Sequence, residues 1–354
     1  MIMKVKSLGK FLSLKALPIF LTLAVLSPLC CWAREGMQAL PVPTTVTPGL
    51  QKYITSTPLS SIWNVSPQSA EEWTKCVQSV AEADKPRVAA LLEKMQVKLE
   101  KAQLSGVPIF VLTPKEIAPS HEQKVLLHIH GGGYVFNPGE TGTPEGILMA
   151  SFGKFKVISV DYRMPPAHPY PAALDDVVTV YTELLKRYPA KNIGVFGSFT
   201  GGGLTLALML RLKSANLPMP AAIAPGSPWS DLDKVGDTYF TNEGQDDILV
   251  TYDNWLKGAA HLYANGKSLR NPYISPVYGD VANFPPTHLT SGTRDLFLSN
   301  TVRMHMKLLE SNVQAELVVF EGMSHILFMI DPDVVEVQFH FKELTKFFDR
   351  NFKD

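Results

Sequence analysis

Two polar residues that can share a proton lie in short loops near the end of the chain. Asp295 follows an apolar segment that ends at Ser291, and His325 follows another that ends at Phe320. A histidine held by a carboxylate acts as a general base toward a nucleophilic hydroxyl. Taken singly, Asp295 has a simple interpretation as a helix-capping or surface acid, and His325 as a loop histidine. Together they indicate proton-transfer chemistry, provided that a nucleophile precedes them in the chain.

The expected place for that nucleophile is Gly194–Gly203, which runs from an apolar strand through a turn into a helix. Gly197 and Gly201 have the spacing of the glycines in a Gly-x-Ser-x-Gly elbow, where strand and helix approach closely. The apex of this elbow is Phe199, which has no nucleophilic atom, so an acyl-enzyme cannot form there. Ser198 is an alternative nucleophile, but its position before the apex predicts a side chain that points away from the base.

A third group of residues is suited to stabilising a developing oxyanion. His130 is followed by Gly131, Gly132 and Gly133 at the exit of the apolar strand Val125–Ile129. Unshielded backbone N–H groups at such a position can converge on an oxyanion. The simpler alternative is a glycine-rich turn with one surface histidine. Directly after the elbow apex, Thr200 would contribute a further N–H.

The order of these features along the chain is elbow, acid and histidine, each after a strand, which is the order of α/β-hydrolase triads. The sequence resembles the hormone-sensitive-lipase-like group of α/β-hydrolases, microbial carboxylesterases in particular, over roughly residues 70–350. The resemblance rests on five motifs: His130-Gly-Gly-Gly133, Asp161-Tyr-Arg163 with His168 to Asp176, the elbow, the Asp295 loop and the His325 loop.

The resemblance implies an α/β-hydrolase fold, with an eight-stranded, mostly parallel sheet covered by helices on both faces and a helical cap. It also implies Ser-His-Asp hydrolysis of short- or medium-chain acyl esters, with no metal and no cofactor. Phe199 then occupies the nucleophile position. The remaining roles that it implies are oxyanion donation by Gly131, Gly132 and Thr200, orientation by the acid Asp295, and general base catalysis by His325.

Phe199 leaves three hypotheses open. The chain is an esterase with a recent lesion, a laboratory variant or a sequence error, since one base change turns a serine codon into phenylalanine. Alternatively, it is a non-catalytic pseudoenzyme that binds a ligand on the same fold. In the third hypothesis, Ser198 or a water held by His325 hydrolyses esters slowly. Because loss of the triad serine typically lowers turnover by about 10⁶-fold, we expect little or no serine-esterase activity.

The neighbours of Phe199 distinguish the first two hypotheses. A lesion predicts a ring crowded against Gly131, Gly132 and His325. A settled pseudoenzyme predicts neighbours that make room for the ring, and Gly203 is the candidate for such a neighbour.

The elements that must position these residues follow from the hydrophobic pattern. Residues 34–65 are predicted to be an extended arm, and residues 66–105 a helical cap segment, with helix from Ala70 to Leu104. Residues 106–354 are predicted to be the α/β domain, with an aromatic-rich cap or lid insertion at about 230–280. The predicted strands are Val107–Leu112, Val125–Ile129, Lys156–Val160, Asn192–Phe196, Ala221–Ala224, Thr287–Ser291 and Ala315–Phe320. The predicted helices of this domain are Ala172–Arg187, Gly202–Ser214, Ser299–Ser311 and Val334–Phe352.

The N-terminus has the pattern of a secretory signal peptide. Several lysines precede the apolar run Ala16–Leu29, and small residues precede a cleavage position after Ala33. We therefore expect a signal peptide at residues 1–33 and a secreted or periplasmic protein. A lipoprotein is not expected, because Pro28 and Leu29 before Cys30 fit a lipobox poorly.

Composition limits the partners. Lys and Arg together number 33 and Asp and Glu 33, so the formal net charge is zero and favours neither nucleic acid nor an anionic membrane surface. The N-terminal apolar run is short for a membrane span, which needs about 20 residues, so no stable span is expected after cleavage. The expected partner is a small-molecule ester or related apolar ligand. The resemblance leaves both a monomer and a homodimer open, since edge-strand dimers are common in the family.

Overall fold

The computed structural model describes residues 40–56, 59–60 and 62–352. The predicted signal peptide, with its cleavage position after Ala33, lies outside the described residues, as do residues 34–39 of the predicted arm. Within the described ranges, no helix combines the length and the apolar character needed to cross a bilayer.

A single eight-stranded sheet forms the centre of the described fold, in the order β1-β2-β4-β3-β5-β6-β7-β8. Strand β2 is antiparallel to β1 and β4, and the remaining pairs are parallel. The predicted α/β class with a mostly parallel sheet is therefore confirmed. The strands are β1 (Val97–Leu104), β2 (Val107–Pro114), β3 (Val125–Ile129), β4 (Val157–Val160), β5 (Ile193–Ser198), β6 (Ala222–Gly226), β7 (Thr287–Gly292) and β8 (Ala315–Phe320).

The central strands are buried along their whole length. Every residue of β3, β4 and β5 is buried, which explains their continuous apolar sequences, because a parallel sheet has helices on both faces. Helix α3 packs against α9, and α4 packs against α5. The α-helices are α1 (Pro48–Ser56), α2 (Ala70–Met95), α3 (Pro144–Gly153), α4 (Ala172–Leu185), α5 (Thr200–Ser214), α6 (Thr238–Thr241), α7 (Trp255–Ala264), α8 (Leu298–Glu310) and α9 (Val335–Asn351).

The first strand corrects the predicted helix at residues 97–104. Helix α2 ends earlier because Gln96 takes a left-handed φ of 52° and its N–H bonds back to carbonyls of the last turn. Ser105 and Gly106, both with positive φ, then form the tight turn that pairs β1 with β2. Strand β1 is a mostly exposed edge strand, so its charged residues resemble the outer face of a helix.

The predicted arm, residues 34–65, contains a helix that its sequence does not indicate. In α1, nine residues are helical and only Leu50 is buried, so local propensity alone would not stabilise the helix. Just before it, Thr47 donates two hydrogen bonds of 2.8 Å, from its N–H and its hydroxyl, to the carboxylate of Glu336 in α9. A tertiary contact therefore orders this part of the arm.

The topology brings four loops to one edge of the sheet. The carboxyl ends of parallel strands lie at the same edge, so the segments after β3, β5, β7 and β8 meet there. The glycine loop, the elbow, the Asp295 loop and the His325 loop are these segments. The insertion at 230–280 contributes α6 and α7 above the same edge.

Candidate active site

Phe199 lies between β5 and α5 in a strained backbone conformation, with φ 61° and ψ −120°. Such a conformation costs a non-glycine residue about 1–3 kcal/mol and persists only where the surroundings enforce it. Here the surroundings are glycines: a Cβ on Gly197 or Gly201 would lie 2.0 Å or 1.8 Å from the carbonyl oxygen of Ile129. The N–H of Phe199 also donates to the carbonyl of Gly226 at 2.9 Å. The backbone of a nucleophile elbow is thus present, with phenylalanine at its apex.

The Phe199 ring is buried in an aromatic cluster and is only 4% exposed. Its centroid lies 5.5 Å from those of Trp229 and Phe297, and 6.2 Å from that of Trp255. The His325 ring is closer, at 4.7 Å, and perpendicular to the phenyl ring. The phenyl ring therefore occupies the space beside the histidine where a serine hydroxyl would act.

The neighbours of Phe199 match neither sequence expectation in full. The Cβ of Phe199, to which the ring is attached, lies close to Gly131. A Cβ added to Gly131 would be 3.1 Å from it. The prediction that Gly203 makes room for the ring is wrong. A Cβ at Gly203 would instead meet the carbonyl oxygen of Trp229 at 2.7 Å, so this glycine accommodates the main chain of Trp229.

Asp295 and His325 form a fully buried pair, with 2.9 Å between Oδ1 and Nδ1. Asp295 Oδ1 also accepts the N–H of Phe297, and Oδ2 accepts the hydroxyls of Ser227 at 2.5 Å and Ser291 at 2.7 Å. Burial alone would raise the pKa of Asp295, but attraction to His325 and these hydrogen bonds lower that pKa below its usual range. The carboxylate is therefore held in its ionised form.

The second ring nitrogen of His325 is the one that would act on a substrate. Its Nδ1 bonds to a carboxylate, which places the proton on Nδ1 in the neutral ring and leaves a lone pair on Nε2. Among the described residues, Nε2 has no hydrogen-bond partner. The base is therefore oriented for proton transfer, and Phe199 offers it no hydroxyl.

The glycine loop presents unpaired donors beside the elbow. Gly132 has a φ of 120°, and a Cβ there would lie 2.5 Å from the carbonyl oxygen of Phe136, so glycine is required. In the described part of the chain, the N–H groups of Gly131, Gly132 and Thr200 donate to no protein acceptor. Such groups at a strand exit can bind an oxyanion.

His130 is a buried support of this loop, which corrects the alternative of a surface histidine. It is 2% exposed, its Nδ1 lies 2.7 Å from the Gly131 carbonyl, and its ring stacks on Tyr162 at 4.1 Å. Burial lowers the pKa of His130 to about 3, so the ring is neutral. Tyr162 donates to the His130 carbonyl at 2.8 Å, and Asp161 accepts the N–H of Gly139 at 2.8 Å. Asp161 and Tyr162 of the Asp161-Tyr-Arg163 motif therefore bond to this region, whereas Arg163 pairs with Asp176.

Ser198 is engaged by a carboxylate that the sequence analysis did not identify. Its hydroxyl donates to Glu145 at 2.6 Å and its N–H to the same carboxylate at 3.0 Å. Glu145 also lies 3.2 Å from Nε2 of His128. Ser198 makes no hydrogen bond to His325. The sequence Thr143-Pro-Glu145 has a proline and an acid suited to the first turn of a helix, and this signal could have revealed α3.

A cavity of about 470 Å³ opens beside these groups. Its walls come from one face of α2, from the glycine loop, from Ile248 and Leu249 of the insertion, and from Trp255 of α7. Phe199 and His325 lie on its surface. Residues from both segments that the sequence predicts as cap therefore contact this space.

Comparisons with known proteins agree with this geometry. A family model described as alpha/beta hydrolase fold matches residues 126–329. The chain is 30% identical over 231 residues to an esterase of Acinetobacter venetianus, covering 64% of this chain and 74% of that protein. It is 27% identical over 226 residues to an acetyl-hydrolase of Streptomyces hygroscopicus, covering 63% and 75%.

Solved structures give the same result. The fold superposes on the crystal structure of esterase E25 with a TM-score of 0.87 and 42% identity, covering 90% of this chain and 98% of that one. An esterase from the bacterial hormone-sensitive lipase family superposes with a TM-score of 0.71 and 25% identity, covering 86% and 96%. The chain therefore belongs to the hormone-sensitive-lipase-like esterases of the α/β-hydrolase fold, a lineage of carboxylic-ester hydrolases.

Proposed function

We propose that this protein binds a small carboxylic ester, or a related apolar molecule, without forming an acyl-enzyme. The observation that carries the proposal is the buried Phe199 ring at the nucleophile position, next to an open cavity. The chain keeps the means to hold an ester and lacks the atom that would attack it.

The absence of turnover follows from the chemistry of the apex. A phenyl ring cannot accept an acyl group, and removal of the triad serine alone costs about 10⁶-fold in turnover. What remains in such variants is about 10³–10⁴-fold over water, from the oxyanion donors and substrate binding. Because the Phe199 ring lies 4.7 Å from His325, it also limits the approach of a substrate carbonyl to the base.

Ligand binding is supported by the size and lining of the cavity. A volume of about 470 Å³ lies within the range of small-molecule sites, about 300–1,000 Å³. Apolar side chains from four elements line it: Val80 and Val88 of α2, Phe136 of the glycine loop, Leu249 of the insertion and Trp255 of α7. A lining of this kind suits a short acyl chain rather than an ion.

A second candidate function is that of an esterase inactivated at one position. The observation that favours it is the complete Asp295–His325 pair, in which both carboxylate oxygens and Nδ1 are hydrogen bonded. The two candidates share the oxyanion donors and the Asp295–His325 pair, and they differ in whether the parent protein, with Phe199 in place, still binds an ester.

The deciding experiment compares hydrolysis of p-nitrophenyl acetate and butyrate by the parent and by Phe199→Ser. Activity in the variant alone supports the triad assignment. Calorimetric binding of ethyl butyrate to the parent then supports the binding protein, whereas no binding to the parent supports an inactivated esterase. Parent activity that disappears in Ser198→Ala would contradict both, because Ser198 would then be the nucleophile.

Export and dimerisation are further parts of the proposal. Export rests on the signal pattern at residues 1–33, and N-terminal sequencing of exported protein should start at Arg34. A homodimer is supported by the edge position of β8, which leaves one side of that strand unpaired in the described sheet. A monomer in light scattering at micromolar concentration would contradict the dimer.

A further inference from the structure

Asp246, between α6 and α7, contacts the loops of both Asp295 and His325 although it belongs to neither. Its side chain is completely buried. It accepts main-chain N–H groups on both oxygens: Oδ1 from Ile248 at 2.9 Å and Leu249 at 3.0 Å, Oδ2 from Leu296 at 2.8 Å and His325 at 3.3 Å.

The two contacts of Oδ2 are the informative ones. Leu296 directly follows Asp295 in the loop after β7, and His325 lies in the loop after β8. One oxygen atom therefore joins the main chain beside the acid to the main chain of the base. An ionised carboxylate is an acceptor only, so it suits a place where N–H groups from separate loops converge.

Neighbouring residues fasten the same segment to the same two loops. The amide of Asn242 donates to the carbonyls of Thr293 at 3.1 Å and Asp295 at 2.8 Å. On the other side, the N–H of Asp247 donates to the Ser324 hydroxyl at 3.2 Å. The segment is thus bonded to the acid loop and to the base loop, and Asp246 is the side chain that bonds to both.

Asp246 also connects this pair to the cavity. The residues whose N–H groups its Oδ1 accepts, Ile248 and Leu249, form part of the cavity wall. The ionisable groups that face the carboxylate are Asp295 and His325. Burial and repulsion from Asp295 raise the pKa of Asp246 to about 6, so it is ionised in an assay at pH 8.

We propose that Asp246 is a positioning residue that holds the Asp295 and His325 loops in register and so aims the base. It touches no reacting atom; it acts through the main chain of the two residues that do. The proposal goes beyond ligand binding at the cavity, because it concerns the geometry of the base in the parent protein as well as in an active variant.

The kinetic test uses the Phe199→Ser background at pH 8 with p-nitrophenyl butyrate. Asp246→Asn replaces one acceptor oxygen by an NH₂ group that must face N–H donors. We expect kcat to fall about 10- to 100-fold with KM within about twofold, since a misplacement near 1 Å costs about 10²-fold. Asp246→Glu keeps the carboxylate and should retain more of kcat than Asp246→Asn.

The matched control is Asp253→Asn in the same background. Asp253 lies in the same insertion, its side chain is 56% exposed, and it pairs with Lys234 rather than with either loop. Asp253→Asn removes the same negative charge as Asp246→Asn and should change kcat by less than twofold. A kcat of Asp246→Asn also within twofold would overturn the proposal, as would equal losses in Asp246→Asn and Asp246→Glu.

A second test uses the parent and needs no turnover. A proton on His325 Nδ1 that is hydrogen bonded to the Asp295 carboxylate is expected to give a low-field resonance in the NMR spectrum. Asp246→Asn should shift or broaden this resonance, Asp253→Asn should not, and thermal melting shows that each variant is folded. An unchanged resonance in folded Asp246→Asn would overturn the proposal. If Phe199→Ser is inactive, the triad assignment fails, but the resonance still tests Asp246.

Discussion

Two sides of this site differ: the base side, which consists of Asp295 and His325, and the nucleophile side, which is the elbow around Phe199. On the base side, Asp295 accepts hydrogen bonds that orient it and favour its ionised form, including those from Ser227, Ser291 and His325. On the nucleophile side, the elbow keeps its glycines and its strained apex but has Phe199 where a nucleophile would act. The difference indicates that the close approach of Gly197 and Gly201 to the Ile129 carbonyl shapes this elbow without a serine at its apex.

The comparison also distinguishes the residues that stabilise the elbow from the residue that would carry out the chemistry. A Cβ on Gly197 or Gly201 would lie well inside van der Waals distance of the Ile129 carbonyl oxygen, so a side chain at either position is expected to destabilise the fold. The apex side chain lies in an aromatic cluster beside the cavity. The elbow backbone is therefore present with phenylalanine at position 199, a residue that cannot act as a nucleophile.

The largest expected effect is the recovery of turnover in Phe199→Ser. A serine at the apex would face an oriented base and free oxyanion donors, so kcat/KM for p-nitrophenyl butyrate should rise at least about 10³-fold over the parent. His325→Ala in this background should abolish the gain. A gain that remains after this second substitution would contradict the comparison, because His325 would then not act as the base.

The next effect concerns the elbow backbone. Gly201→Ala places a Cβ 1.8 Å from the Ile129 carbonyl oxygen and should lower the free energy of unfolding by about 3 kcal/mol. The control is Gly49→Ala in α1, where the nearest atom to a Cβ is 3.7 Å away and only a small change is expected. Urea unfolding measures both. Equal stability of the two variants would show that the elbow tolerates a side chain at this glycine.

A smaller effect tests whether the cavity binds a ligand in the parent. Leu249→Trp enlarges a side chain on the cavity wall and should weaken binding of ethyl butyrate about tenfold, equivalent to about 1.4 kcal/mol. The control is Val302→Trp on α8, at a position that is 40% exposed and not part of the cavity lining. Calorimetric titration measures both variants. Unchanged affinity in Leu249→Trp would place the ligand elsewhere.

The last expected effect is a pH dependence of stability that originates on the base side. Because the pKa of Asp246 is raised from 3.8 to about 6 in the folded protein, its contribution is fully present below pH 3.8 and is lost as pH rises through about 6. The difference in unfolding free energy between the parent and Asp246→Asn should therefore narrow between pH 4 and pH 7. Urea unfolding across this range checks the sign, and a constant difference would contradict the raised pKa.

Much of the sheet was predictable, because buried parallel strands are continuous apolar runs between turn residues. Strand β8 agrees with its prediction at both ends. Strand β1 was not predictable, because an exposed edge strand carries charges on both faces and lacks a clear period. Helix α1 escaped prediction for a different reason: its order depends on Thr47 and Glu336, which are far apart in sequence.

The residues of the site also fall into those that the sequence could predict and those that it could not. Asp295 and His325 were predictable because they follow strands in the order of a triad, and the structure brings them to 2.9 Å. Glu145 and Asp246 were not, because each acts through contacts with segments distant in the chain. Their roles depend on the direction of a side chain in the folded protein, which no sequence spacing specifies.

The close approach of Gly197 and Gly201 to the Ile129 carbonyl has a consequence for the history of such proteins. A lineage released from selection for turnover can change the apex residue by a single base substitution and still produce a folded chain. A change at either glycine is expected to lower the stability of the whole chain, because a Cβ there collides with the Ile129 carbonyl oxygen. Loss of catalysis on this scaffold is therefore expected to begin with substitution of the nucleophile, and the elbow glycines should be among the last residues to change.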